Sequence, residues 1–457
     1  MKLIVCGAGQ VGYQIARHLS DEGNAVTVID TNAGLVRQVT DALDVAGIAG
    51  FASHPDVLAR AGAKDCDMII AATSMDEVNM VACQVAHSVF EVPVKIARVR
   101  TDSYLGAEWS DLFRRDHMPI DVIISPETEV ARVTIRRLTA TAAFDIEPFL
   151  DGRAEFVGMV VPEDCPVVNT PLRQLTELFS TLSLTVVAIR RDGRIFAARG
   201  DDLVLAGDEI YVITAREDLQ RSFGIFGREN LTPERVLIVG AGNIGLRVAQ
   251  KIEADSNLRA KVIERDRMRA EFAADQLNRT IVLHGDALDE EILEEAGLSE
   301  ADALVALTDD DRANLLSCAI AHEVGCPIGI ALAKDPLFER IADPLGVDAL
   351  INPRATTVSS ILRHVRRGKV RAVYSVGGGD AEVIEAQVMA TSPIADKKLR
   401  DVGFPKGSSV GAILKPDGLV MPRGDTVIAV GDLLVVFAVR DTVRQVEQMF
   451  RVSMEFF

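Results

Sequence analysis

The chain opens on a short apolar run, Leu3-Ile-Val-Cys6, that climbs into Gly7-Ala-Gly-Gln-Val-Gly12. Beyond the glycines the apolar positions spread out. Val11, Ile15 and Leu19 recur at helical spacing, which predicts a helix from Val11 to Ser20. Gly23-Asn24 turns the chain, and the pattern then predicts strands at Ala25 to Asp30, Met68 to Ala72 and Val94 to Val99, with a helix from Met80 to Phe90. Uninterrupted apolar strands between helices are the pattern of a parallel sheet covered on both faces.

The same pattern returns in the second half. Gly7 matches Gly240, an offset of 240 − 7 = 233, and Asn79 matches Asn314, an offset of 314 − 79 = 235. The strands expected there are Val236–Val239, Lys261–Glu264, Ala303–Leu307 and Ile328–Ala331. Each such module leads through a charged helical stretch, Glu127 to Leu138 and Thr356 to Arg367, into a smaller one. In the first small module Phe156 to Val161 reads as a strand, and Pro171 opens a short helix with Thr170 as its cap. Asp192-Gly193 turns a hairpin there, and Pro416 to Leu419 turns its counterpart. Gly207-Asp208 and Gly431-Asp432 mark equivalent points. The chain is therefore one pair of modules written twice.

Composition narrows the class. The 457 residues carry 49 Lys and Arg against 67 Asp and Glu, a formal net charge of −18, which repels phosphate backbones and anionic membrane surfaces. The basic stretch Arg363 to Lys369 is the one local exception and reads as a helix end. Six scattered cysteines without CxxC spacing suggest a reducing compartment and no zinc site. The start reads straight into a strand without the pattern of a signal peptide, and no uncharged run approaches the roughly 18–20 residues that span a bilayer. Membrane work would then need an embedded partner.

The glycine loops carry the candidate chemistry. G-x-G-x-x-G between a strand and a helix permits a tight turn, close approach of a pyrophosphate, and close helix packing, with free N–H groups at the helix start. The loops comprise Gly7, Ala8, Gly9, Gln10, Val11 and Gly12, and Gly240, Ala241, Gly242, Asn243, Ile244 and Gly245. Asp30, 23 residues after Gly7, and Glu264, 24 residues after Gly240, end the second strands, where a carboxylate takes ribose hydroxyls. An acid there disfavours a 2′-phosphate but separates NAD(H) from ATP or ADP in no way. Thr73-Ser74 and Thr308-Asp309 follow the strand beside the loop, to bond phosphate or ribose, or only to cap the next helix. Arg98 ends an apolar strand and would reach phosphate or pair with an acid. Its counterpart region, Ile330 to Lys334, holds no arginine, so the two sites are expected to differ in charge.

A dehydrogenase needs an acid or base beside the nicotinamide. Of the seven histidines, His18, His87 and His322 fall within helical patterns, and His54 and His284 lie nearer an adenine edge. No HxxxH spacing, nucleophile elbow or Walker lysine is present. Two nucleotide modules with two small accessory modules look like a sensor rather than an enzyme. An NAD-dependent oxidoreductase is the alternative, and a nucleotide-free scaffold the third possibility.

These features resemble the tandem RCK-N/RCK-C regulators of potassium conductance over essentially the whole chain. The resemblance rests on both glycine loops, on Gly50 to Pro55, Leu58 to Gly62 and Ile96 to Val99, and above all on Asp76-Glu-Val-Asn-Met-Val-Ala-Cys-Gln-Val-Ala86. In the second half it rests on Glu264-Arg265, His284 to Ala287 and Asp309 to Asn314. It implies two Rossmann-like RCK-N domains at 1–124 and 233–353. Each would be followed by a helical crossover, 125–150 and 354–370, and a small α+β RCK-C domain, 151–222 and 371–457, with a linker at 223–232. It further implies a cytoplasmic, peripheral, non-enzymatic regulatory subunit of a Trk-type potassium uptake system. Such a subunit assembles as a homo-oligomeric ring, a tetramer, under a potassium-translocating membrane subunit. NAD(H) and ATP/ADP would bind at the first loop, Asp30, Thr73, Ser74 and Arg98, and again at the second loop, Glu264, Thr308 and Asp309.

Overall fold

A computed structural model describes residues 1–450 except 180, 229, 256, 366–369 and 378. It divides into two compact units, each built from both halves of the sequence. Residues 1–135 and 234–365 form one, containing the two larger modules N1 and N2, and residues 136–233 and 366–457 form the other, containing the smaller modules C1 and C2.

N1 is a six-stranded parallel sheet. Its order is Ala46–Ala49, Ala25–Asp30, Lys2–Cys6, Met68–Ala71, Val94–Arg98, Val122–Ile124. N2 repeats it as Ile281–His284, Arg259–Glu264, Arg235–Val239, Ala303–Ala306, Gly329–Leu332, Ala349–Ile351. The central strands are buried along their length, as uninterrupted apolar runs require, and one face carries Leu3, Val5, Val28 and Ile70 against Ile15 and Leu19 of the helix Gln10–Asp21. That core also takes Val358, Ile361 and Val365, from the helix Pro353–Leu362 and the residues just after it. The crossover helix that follows N2 thus seals N1.

C1 is a five-stranded antiparallel sheet ordered Arg194–Ala197, Leu184–Arg191, Glu209–Ala215, Ala154–Val160, Asp145–Phe149. C2 has the matching order Val370–Val376, Ala381–Gln387, Leu433–Val439, Ser408–Lys415, Gly418–Val420 read from the opposite edge. The two sheets share one core, in which Phe156, Tyr211, Val383 and Phe437 pack together. Asp192 and Gly193 both have positive φ, 51° and 74°, the backbone that a two-residue hairpin turn needs.

Five sequence expectations differ from this structure. The helix expected at Met80 begins at Asp76, because the polar Asp76 and Asn79 are buried rather than left in a loop. The stretch 125–150 is helical only over Pro126–Thr139, and Asp145–Phe149 forms the edge strand of C1. Pro171 is itself the extended cap residue of the helix Leu172–Leu178, with no side-chain cap from Thr170. The stretch 223–232 starts inside the helix Leu219–Ile225, and Phe223 and Phe226 are buried in C1. Of the basic stretch, Arg363 pairs with Glu129 at 3.1 Å and Val365 is buried, while 366–369 lie outside the described residues; the helix expected to run to Arg367 already ends at Leu362, with Arg363 as its cap.

Candidate nucleotide sites

Each glycine loop runs from the carboxyl end of a central strand to the start of a helix, Gln10–Asp21 in N1 and Asn243–Glu253 in N2. Its three glycines do different work. Gly7 has φ +107° and Gly240 +98°, a backbone that favours glycine. A Cβ on Gly12 would lie 1.8 Å from the Gly7 carbonyl oxygen, and one on Gly245 1.9 Å from that of Gly240, so helix and turn touch there only through glycine. Gly9 and Gly242 are different. Their φ values are −66° and −59°, and a Cβ on either meets nothing within 4 Å. The protein's own packing gives no reason for glycine at these two positions, whereas a phosphate cradled against the backbone does.

The sheet register sets the rest of the site. Cys6 pairs with Ile29 and Ala71, and Ala71 with Ala97, so Gly7, Asp30, Ala72 and Arg98 lie at one level along the sheet's carboxyl edge. The Asp30 carboxylate accepts from Ala8 N at 2.7 Å and from Asn32 N at 2.8 Å. Glu264 repeats this with Ala241 N at 2.6 Å and Asp266 N at 2.9 Å. Both acids brace the loop backbone, and a carboxylate has lone pairs beyond those two bonds.

Thr73 is spent internally. Its hydroxyl donates to Asn79 Oδ1 at 2.7 Å, and its N–H donates to the same oxygen at 2.9 Å. Asn79, fully buried, passes its amide protons to the carbonyls of Thr73 and Arg98. Thr308 and Asn314 reproduce the arrangement, with Asn314 donating to Thr308 O and Leu332 O. Each asparagine thus ties the strand beside the loop to the next strand. Sequence reasoning matched these asparagines as repeats but gave them no role. Their spacing, six residues after a strand-ending threonine, was the available signal. Ser74 and Asp309 are exposed.

Arg98 stands apart. Its side chain makes no hydrogen bond or ion pair among the described residues, and its Nε is buried without a partner. Burial, and then the nearby Arg100, hold its pKa below the usual arginine value, against the pull of Glu127 and Asp76. Arg100 is engaged by Glu127 at 3.0 Å.

The second half narrows the counterpart of Arg98 from the region Ile330 to Lys334 to one residue. In N2, Val239 pairs with Ala306 and Ala306 with Ala331, so the residue level with Gly240 is Leu332. The helix Asp311–Val324 is one residue shorter than Asp76–Phe90, which moves the offset from 235 to 332 − 98 = 234. Lys334 therefore matches Arg100, and both backbones donate to an equivalent acid, Asp311 or Asp76. Lys334 is occupied by Asp309, at 3.0 Å to its carbonyl and 3.1 Å to its carboxylate. N2 has an arginine of its own that sequence reasoning missed. Arg269, in the first turn of Arg267–Gln276, donates from Nε to Ala241 O at 2.9 Å and from Nη2 to Asn243 Oδ1 at 2.5 Å. One of two arginines on a charged helix gives no sequence signal.

The histidines supply little. His54 stacks on Phe51 with ring centroids 5.2 Å apart, and a ring nitrogen of His284 lies 3.2 Å from Arg265 O. Among the described residues there is no metal-ligating cluster of His, Cys, Asp or Glu, and no helix is long and apolar enough to cross a membrane.

Comparison with known proteins fits this architecture. Residues 3–126 and 236–353 match the TrkA-N domain, and residues 156–227 and 383–451 match the TrkA-C domain. The Trk system potassium uptake protein TrkA of Azorhizobium caulinodans is 48% identical over 458 residues, covering 100% of each chain. That of Halomonas elongata is 36% identical over 461 residues, again covering 100% of each. Among solved structures, the GsuK RCK domain superposes with a TM-score of 0.58 at 16% identity, covering 98% of this chain and 94% of that one. The GsuK channel bound to NAD gives 0.60 at 17%, covering 98% and 78%. Two Rossmann-like RCK-N domains, each followed by an RCK-C domain, are the fold, and the chain belongs to the TrkA family of Trk system potassium uptake proteins.

Proposed function

We propose that this chain is the nucleotide-binding regulatory subunit of a Trk-type potassium uptake system, and that NAD(H), ATP or ADP at its glycine loops gates flux through a membrane-embedded partner. The observation that carries the reading is the pair Gly9 and Gly242, glycines with ordinary backbone and open space where a Cβ would stand. Supporting it are a carboxylate level with each loop and an unpaired arginine level with the first. Asp30 and Glu264 would take ribose hydroxyls, the loop amides and helix starts the pyrophosphate, and Arg98 the phosphates beyond it. In this reading Thr73 and Thr308 hold the site's walls rather than the ligand.

Binding can drive a partner only if it favours one arrangement of the lobes over another. We place the subunit in the cytoplasm, as a homo-oligomeric tetrameric ring beneath the partner, without nucleic acid and without turnover. The relatives' shared name, a potassium uptake protein, favours this over an oxidoreductase. The deciding experiment is potassium flux through the co-reconstituted membrane partner with ATP, ADP and NADH in turn, beside a steady-state assay of NADH consumption. Asp30→Ala leaves ribose hydroxyls unpaired and is expected to weaken first-site binding by about 1–3 kcal/mol, roughly 5–150-fold, in calorimetry. Unchanged affinity in that variant, or sustained NADH turnover by the unaltered chain, counts against the proposal.

A further inference from the structure

The two glycine loops receive their cation from opposite sides. In a doubly wound sheet the adenosine half of a nucleotide lies over the strands that carry the loop and the ribose acid, and the remainder extends over the later strands. N1 has its free arginine on the later strands, at Arg98, and Leu35 where N2 has Arg269, since the helices Ala33–Ala42 and Arg267–Gln276 match residue for residue (267 − 33 = 269 − 35 = 234). N2 is the reverse. Its later strand presents the buried Leu332, and Lys334 is held by Asp309. Its arginine rises instead from the helix that follows the ribose acid.

The setting of Arg269 is specific. Its guanidinium bridges the loop carbonyl of Ala241 and the Asn243 side chain, at the start of the helix where a first phosphate docks. Its Cζ lies 5.5 Å from the centroid of the Phe272 ring, which limits its freedom. No carboxylate is paired with it among the described residues. On the far side of the loop the sequence Asp309-Asp310-Asp311 replaces Ser74-Met75-Asp76 of N1. Three consecutive acids there, with Lys334 already held by Asp309, oppose further phosphates.

Resting on the reading that these loops bind adenine nucleotides, we propose that Arg269 is the specificity-determining residue of the second site. That site takes the adenosine 5′-phosphate unit common to AMP, ADP, ATP and NAD(H), and gains nothing from what is attached beyond the first phosphate. Arg269 supplies a forked, permanently charged donor to that one phosphate. The first site, with its cation on the far half, reads the remainder.

The test uses the full-length chain carrying Gly9→Val, which closes the first loop at a point where an added Cβ meets no other part of the protein within 4 Å. AMP, ADP, ATP and NADH are titrated in turn by calorimetry. One site per chain is expected, with ATP binding no tighter than AMP within about threefold. Arg269→Leu, which installs the residue N1 carries at this position, should weaken all four ligands by a similar factor, roughly ten- to a hundredfold. Arg269→Lys should recover part of that loss, which separates a charge effect from misfolding. ATP binding more than tenfold tighter than AMP would overturn the inference. So would unchanged affinities in Arg269→Leu, or absence of binding in the Gly9→Val chain when the unaltered chain still binds one nucleotide. If the unaltered chain binds none, the nucleotide reading itself falls, and this inference with it.

Discussion

N1 and N2 have the same strand order and the same level of glycine, strand-ending acid and threonine–asparagine clasp, yet they handle charge differently. N1 leaves one half-buried arginine side chain unpaired on the far half of its site, and N2 pairs its lysine there and brings an arginine in on the near half. The smaller modules show the same habit. Asp208 is held by Arg191 through two contacts of 2.7 Å, and its counterpart Asp432 by Lys415 at 2.7 Å. Duplication has preserved what the fold needs, the buried acid and the glycine contact. It has let the partner cation vary where water or a ligand can complete the set. A position that differs between the halves is therefore the better guide to what each half recognises.

The largest effect expected from this comparison separates folding glycines from binding glycines. Gly12→Val and Gly245→Val each drive a side chain into a backbone oxygen less than 2 Å away, and should cost about 4 kcal/mol or more, enough to unfold the lobe concerned. Gly9→Val and Gly242→Val should cost about 1 kcal/mol or less in stability, mostly from the changed helix cap, while abolishing nucleotide binding at their own loop. Thermal melts and calorimetry on the four variants measure both quantities. If Gly9→Val destabilises as strongly as Gly12→Val, its glycine belongs to packing and the division drawn here is lost.

A smaller effect concerns Arg98. Replacing it with leucine copies the N2 solution, in which Leu332 is buried at the same level. An unpaired, partly desolvated guanidinium costs the empty protein stability, so Arg98→Leu should raise the melting temperature by the equivalent of about 1 kcal/mol. The same change removes the donor for terminal phosphates, and the ATP-against-ADP preference at the first site should shrink roughly tenfold. Opposite signs for stability and selectivity are the signature. A variant that loses stability while keeping its full ATP-against-ADP difference in potassium flux would falsify the assignment.

How much of this was legible follows from where the information sits. The glycine loops, Asp30 and Glu264 are local signals, a fixed spacing after an apolar strand, and the structure places each loop and its acid at the carboxyl edge of their own sheet. The edge strand Asp145–Phe149 was hidden because it is short, ends in Pro148-Phe149 and follows a helix after only a short turn. The counterpart of Arg98 was legible only as the region Ile330 to Lys334, because the shorter helix of N2 changes the offset by one residue and only the strand register singles out Leu332. Arg269 was invisible for a different reason. Its role comes from a contact to a loop 26 to 28 residues earlier, and nothing in the composition of its helix distinguishes it from solvated neighbours.

The smallest expected effect tests the comparison in C1 and C2. Asp145 of C1 accepts from the Tyr374 hydroxyl at 2.5 Å, while its equivalent in C2, by strand register, is Ala372. Burial raises the Asp145 pKa to about 6, with Tyr374 and Arg137 opposing the rise and Glu147 adding to it. Burial likewise raises Glu155 to about 7. A carboxyl whose folded pKa exceeds its unfolded value binds its proton more tightly when folded. Its contribution to stability is therefore full below the unfolded value near 4 and is lost as pH rises through 6. Between pH 5 and pH 8 the loss at Asp145 should amount to about 1–2 kcal/mol, with Glu155 extending it towards pH 7. Asp145→Asn keeps an acceptor for Tyr374 without a titrating group, so its urea-melt stability should fall less over that interval than the parent's. Parent and variant declining in parallel from pH 5 to pH 8 would assign the pH dependence to other groups, and would leave Asp145 and Ala372 equivalent in all but shape.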